Sequence, residues 1–265
     1  TLVNLMIPAD QFKRSSKVFE VTAKTAACTR GVWIWSEPLP VEGGPGSIVL
    51  IDTEGMGKGD NSILAKIVGL ATLISSVVVF NVDKDLNNSN LNELGTVVGV
   101  AEALPAASRA LLPELIVLLR DFRARFAKST DNGPVACTAQ EYMKELLKDA
   151  DDKLNGTRAA IRATFKEPTL LTLAAPGQSD LKDLSAVPDG AFRASFQAFH
   201  LATTALLRKR PLQVQQGLQL ASGREYAGFI RGLVRAIASS MDAVSLPSLV
   251  DAVQEVRCAE RAKPL

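Results

Sequence analysis

Histidine is almost absent from this sequence: one residue in 265. That excludes any metal or catalytic centre built on a histidine pair, and His200 itself lies within an amphipathic helical pattern that gives it a structural role. Cysteine is scarce as well. Cys28, Cys137 and Cys258 are odd in number and far apart, which fits neither a disulfide framework nor a zinc site and suits a reducing, cytoplasmic setting. Net charge is nearly missing at +2, so nothing in the chain favours electrostatic capture of nucleic acid or of an anionic membrane. Long apolar runs are missing too. The longest uncharged stretch, from Ile67 to Val82, contains Ser75-Ser76 and falls short of the ~20 apolar residues a spanning helix needs. A helix tail followed by a buried strand explains it better. The apolar start lacks a basic leader, so no signal peptide is expected there, and no internal repeat stands out.

What the chain does have is ordinary globular material, 47% apolar and 22% charged, enough for one large domain or one and a half. A short helix is expected over residues 1–7, stopped by Pro8, followed by a polar loop to Arg30. Gly31-Val32-Trp33-Ile34-Trp35 reads as a strand, residues 42–46 as a Gly/Pro turn, and residues 47–51 as a strand buried on both faces. The first two strands are expected to neighbour each other, in an antiparallel sense. Helices are expected over 61–73, 90–104, 138–150 and 157–165, with buried strands at 76–80, 115–119 and 169–173. Phe192, Phe196, Phe199, Thr203 and Leu206 mark one face of a further helix. Such alternation predicts an α/β fold with a mostly parallel sheet covered on both faces. After residue 209 the alternation stops. Tyr226, Ile230, Leu233 and Ile237 form one helical stripe and Leu249, Val253 and Val256 another, the expected start of an all-helical region over 210–265.

Ligands of parallel α/β sheets bind at the carboxyl ends of the strands. Two sequence features fall there, and the reading places them on one edge. The first is Asp52-Thr53-Glu54-Gly55. A carboxylate at a strand end can hold a hydrated Mg²⁺, and a glycine N–H can approach a terminal phosphate because no Cβ blocks it. D-x-x-G alone is a weak motif, and a strand with an ordinary turn explains it as well. The second is Arg120-Asp121. Guanine presents N1–H and N2–H₂ side by side, and one carboxylate can accept from both, whereas adenine offers no such pair. A solvated aspartate after a strand is the bland alternative. Thr29, in a polar loop before a strand, could complete Mg²⁺ coordination, though loop threonines are common. Trp33 and Trp35 are more simply core and cover than base-stacking rings.

Taken in order, Thr29-Arg30-Gly31-Val32-Trp33-Ile34-Trp35, then Ile48-Val49-Leu50-Ile51-Asp52-Thr53-Glu54-Gly55-Met56-Gly57, then Lys58-Gly59-Asp60-Asn61 and Leu118-Leu119-Arg120-Asp121-Phe122 resemble the guanylate-binding protein family of large dynamin-related GTPases. Glu54 favours that family over the atlastins, which usually carry glutamine there. The tail from Gly217 to Val256 resembles the first helices of the family's middle domain. The resemblance implies a P-loop GTPase domain over residues 1–209, followed by the start of the helical middle domain. It implies GTP and GDP as ligands, hydrolysis with Mg²⁺, and a homodimer through the GTPase face when GTP is bound. Thr29 and Asp52 would be the metal-binding residues. Gly55 would touch the γ-phosphate, Glu54 and Thr29 would act in catalysis, and Asp121 would read guanine with Arg120 beside it.

Two departures qualify this. The family usually has a serine two residues before the switch threonine, and Ala27 stands there. No G-x-x-x-x-G-K-[ST] occurs anywhere in the chain. The chain begins with Thr1 and reads as a fragment whose first strand and P-loop lie just upstream, so that these residues alone would bind GTP poorly. An impaired scaffold acting through assembly, or an atlastin-like fusion GTPase, are the alternative readings. Membrane association would come only from regions outside this chain.

Overall fold

Valine- and leucine-rich runs alternate with helical stretches along the chain, and the computed structural model turns that alternation into a small parallel sheet flanked by helices. It describes residues 2–8, 11, 19, 31–41, 46–53, 61–102, 112–150, 152–165, 167–176, 190–209, 213–215, 218–219 and 222–239. Helix α1 (Leu2–Met6) precedes a ribbon of four short strands, β1 (Val32–Ile34), β2 (Leu39–Pro40), β3 (Ser47–Ile48) and β4 (Ile51–Thr53). Then come α2 (Asn61–Ile74), β5 (Val77–Asp83), α3 (Asn88–Glu102) and β6 (Glu114–Arg120). The hairpin β7 (Ala127–Thr130) and β8 (Gly133–Ala136) leads into α4 (Ala139–Leu146), α5 (Asn155–Thr164) and β9 (Thr169–Leu173). Helix α6 (Ala191–Lys209), the strand pair β10 (Gln213–Gln215) and β11 (Leu218–Gln219), and α7 (Gly223–Ser239) follow.

The central sheet runs β5-β6-β9, all parallel, with β6 in the middle and buried along its length. Strand alternation divides its residues between two cores. On one face Val78, Phe80, Val82, Leu115, Val117, Leu119 and Leu170 meet Leu91, Leu94 and Val98 of α3, Met143 of α4 and Ile161 of α5. On the other, Val77, Val79, Ile116, Leu118 and Leu173 meet α1 and the three phenylalanines Phe192, Phe196 and Phe199 of α6. Each fully buried leucine or phenylalanine contributes on the order of 1.5–3 kcal/mol, so these two layers dominate the fold's stability. Close packing of α3 on α5 favours glycine: a Cβ on Gly95 would stand 3.0 Å from the Thr157 methyl, which would have to give way slightly. Helix α4 opens on the expected capping box, Thr138 Oγ1 accepting from the Glu141 N–H while Glu141 accepts from the Thr138 N–H. It ends at Leu146 rather than at residue 150.

The ribbon behaves differently from a buried central strand. β1 pairs antiparallel with β4, Trp33 opposite Asp52, as the turn between them led us to expect. The run over residues 47–51, however, is not one strand buried on both faces. It divides into β3 and β4 around Val49 and Leu50, because four residues on the first arm (35–38) oppose two on the second, and it is half-covered. Among the described residues, β4 hydrogen-bonds to β1 and not to the parallel sheet. Side-chain packing joins the two units instead. Leu2, Leu5 and Met6 of α1 pack on the sheet, while Val3, Met6 and Ile7 pack with Trp35, Leu39 and Leu50 of the ribbon. From the other side, Ile74 of α2 gathers Val32, Ile51 and the α7 residues Phe229 and Leu233. Helix α7 therefore shares a core with α2 and the ribbon; the second expected stripe, Leu249 to Val256, lies outside the described residues. No helix among the described residues is long and apolar enough to cross a membrane.

Candidate functional site

Three strand ends meet at the carboxyl edge of the sheet, and backbone hydrogen bonds tie them to one another. Arg120 closes β6, in register with Asp83 of β5 and Leu173 of β9. One step further, the Lys84 N–H donates to the Arg120 carbonyl at 2.7 Å, and the Phe122 N–H donates to the Leu173 carbonyl at 3.3 Å. Asp121 lies between those two bonds. Its backbone is left-handed, with φ +54°, in a region where aspartate is tolerated better than most residues. Lys84 is also left-handed at φ +63°, a costlier choice for a long side chain. Two such residues side by side, Lys84 bonded through its own N–H and Asp121 flanked by bonded neighbours, mark a turn that the surrounding sheet imposes, a pattern that gathers at ligand sites.

Side chains extend the same construction. Arg120 Nε donates to the Asn81 amide oxygen at 2.8 Å. On β5 the residues Val77, Val79, Asn81 and Asp83 share a face, apolar beneath the covering helices and polar and exposed beyond them. On β9's side the Ala174 N–H donates to Ser195 Oγ at 3.1 Å, and that hydroxyl donates back into α6 at the Phe192 carbonyl, 2.9 Å away. Beyond Asp121 the rings of Phe122 and Phe126 stack with centroids 4.6 Å apart, and Phe126 lies 5.1 Å from Tyr142. Burial pushes the Tyr142 phenol up, and Asp85 and Cys137 add to that. The aromatic trio braces the segment that leaves Asp121.

Of the residues singled out from sequence, Arg120 and Asp121 are brought together at this edge. Asp52 occupies the middle of β4 on the ribbon, half-buried and opposite Trp33, one residue before the strand ends. Because β4 is not hydrogen-bonded to the parallel sheet among the described residues, the expected single edge carrying both carboxylates is realised as two β units packed through helices. Thr29, Glu54 and Gly55 lie outside the described residues. No cluster of three histidine, cysteine or acidic side chains occurs among the described residues. A lone carboxylate fits Mg²⁺ well enough, since that ion keeps several waters and takes its remaining ligands from phosphates. Asn81 and Lys84 were missed in the sequence. The signal for Asn81 was present, as a polar residue at an inward-period position of an otherwise apolar strand; nothing announced the backbone of Lys84.

Comparison with known proteins decides the family. The model of the guanylate-binding protein N-terminal domain matches residues 5–206, which contain both the ribbon and the sheet edge. The chain belongs to the guanylate-binding protein family. Guanylate-binding protein 1 of Chlorocebus aethiops is 30% identical over 172 residues, 56% of this chain and 28% of that protein. Guanylate-binding protein 5 of Homo sapiens is 28% identical over 205 residues, 68% of this chain and 34% of that protein. Guanylate-binding protein 2 of Homo sapiens is 30% identical over 169 residues, 56% of this chain and 28% of that protein. The aligned part is thus about a third of the length of these family members. The α/β fold with its parallel β5-β6-β9 sheet is that expected of the family's GTPase-like domain.

Proposed function

We propose that residues 1–209 carry the magnesium and base-reading sides of a GTP site in a GTP-hydrolysing member of this family, and that 210–265 begin its helical middle domain. The observation that carries the reading is the pinned, left-handed Asp121 at the end of the central strand. A carboxylate whose backbone is fixed on both sides need not be reordered when it accepts from guanine N1–H and N2–H₂. Asp52 would hold Mg²⁺ through water and Thr29 would complete the coordination; the ion's chemistry is to neutralise charge on the phosphate oxygens. Gly55 would let its N–H approach the γ-phosphate, and Glu54 would orient the attacking water. GTP-dependent pairing of two copies through this face, stimulating hydrolysis in a cytoplasmic enzyme, belongs to the same proposal.

A second reading is favoured by one observation: Ala27 stands two residues before Thr29, where a hydroxyl is usual in the family. Under it, the protein is a family scaffold with impaired catalysis that acts by assembly.

Asp121→Asn in the full-length protein tests the guanine assignment. The amide keeps an acceptor for N1–H but turns a donor toward the 2-position, which suits the carbonyl of xanthine. GTP affinity is expected to fall by roughly a hundredfold or more, with xanthosine triphosphate becoming the better ligand. An unchanged GTP titration sinks the assignment.

A further inference from the structure

Among the described residues, one hydrogen bond holds the Arg120 side chain; its acceptor lies thirty-nine positions away, and no sequence motif includes it. Arg120 Nε is occupied by the Asn81 amide oxygen at 2.8 Å, while its two terminal nitrogens have no partner among the described residues. A guanidinium anchored at Nε is swung into one orientation, with its outer edge presenting two parallel donors. Its backbone is fixed as well, since the Arg120 carbonyl accepts from Lys84 and β6 is flanked on both sides. A long side chain that would otherwise lose about 2 kcal/mol of rotamer freedom on binding is thereby partly ordered in advance.

The chemistry of that outer edge is specific. Two parallel guanidinium donors match acceptors such as the O6 and N7 of guanine, and they oppose the 6-amino donor of adenine. Asp121, the next residue, supplies the acceptor for the opposite polarity. We propose that Asn81 is a positioning residue of the base site, holding Arg120 so that its terminal nitrogens face the 6-oxo group of the base that Asp121 reads. This rests on the guanine reading above and adds to it the residue that orients the donor arm. Asn81 does not touch the nucleotide. It acts through Arg120, and only its acceptor oxygen matters.

The test uses the full-length protein and two nucleotides, GTP and 2-aminopurine riboside triphosphate, which lacks the 6-oxo group and with it the N1–H, while keeping the 2-amino group. Asn81→Leu removes the acceptor at similar size, Asn81→Asp keeps one, and Arg120→Ala removes the donor arm. Asn81→Leu is expected to weaken GTP about tenfold, with the 2-aminopurine nucleotide nearly unaffected, so the preference between them falls about tenfold and only the part owed to the N1–H that Asp121 reads remains. Asn81→Asp should restore the preference. Adding Asn81→Leu to Arg120→Ala should cost nothing more, because the two act as one unit. Since Asn81 is exposed, its melting temperature should scarcely move, which separates positioning from folding. If Arg120→Ala weakens GTP and Asn81→Leu leaves the preference intact, the positioning role is overturned while the guanine reading stands. If neither Arg120→Ala nor Asp121→Ala affects GTP, the guanine reading itself falls.

Discussion

Lys84 reaches Arg120 through the backbone alone: its N–H donates to the Arg120 carbonyl at 2.7 Å, from a left-handed conformation at φ +63°. This bond joins the ends of β5 and β6 one residue before Asp121, and Lys84 carries the conformational cost. The lysine side chain does little in return, being exposed and only 3.6 Å from Asp83 in a solvent-screened pair.

Lys84→Gly is therefore expected to stabilise the protein. Relief of the left-handed penalty, about 1–2 kcal/mol, exceeds the added entropy of glycine in the unfolded chain, about 0.5–1 kcal/mol. Urea unfolding should show a higher midpoint at unchanged slope. A lower midpoint would mean that the lysine side chain holds this turn.

Asp152 anchors the loop between α4 and α5. Arg158, itself 4% exposed, donates to both of its carboxylate oxygens, at 2.6 and 2.8 Å, and to the Leu146 carbonyl. The Arg158 fork, followed by the Leu154 N–H, holds the Asp152 carboxyl at about 2 against an ordinary 3.8. The unfolded chain thus takes up this proton before the native one does, so the stabilisation is present above pH 3.8 and lost as pH falls toward 2. Thermal melts across that window should fall more steeply for the natural chain than for Asp152→Asn. Parallel slopes would remove the pair from the acid response.

Tyr226 ties α7 to the domain. Its hydroxyl donates to the Ile74 carbonyl at 3.1 Å, and burial pushes its phenol up to about 12 from 10.0. A raised phenol means the native state keeps its proton longer. Stability from this group is intact below pH 10.0 and is lost as pH rises toward 12. Tyr226→Phe should cost about 1 kcal/mol at neutral pH and flatten the alkaline decline. An unchanged alkaline profile would show that another group sets it.

Residues 1–265 by themselves are expected to bind GTP weakly, because no glycine-rich lysine loop in the sequence supplies phosphate contacts. Calorimetry on this stretch should give no micromolar binding. Tight binding would show that the ribbon and sheet edge suffice without such a loop.

Local sequence pattern alone determined where the strands β6 and β9 run, from their apolar runs, that α4 opens on Thr138 and Glu141, from the capping box, and which face of α6 is buried, from its helical period, since each depends on neighbours a few residues away. The strings around Asp52 and Arg120-Asp121 also pointed to the family that the comparisons show. The exposed hairpin β7–β8 and the short pair β10–β11 escaped, the first because most of its residues face solvent and show no apolar alternation. Only the tertiary structure decided that, among the described residues, the expected β1–β4 pair does not join the parallel sheet, and that α7 packs against both the ribbon and α2. It alone placed Asn81 against Arg120 and gave Asp121 its left-handed backbone. Those features come from bonds between residues tens of positions apart, and a local pattern of apolar and polar residues carries no record of which distant backbone will meet it.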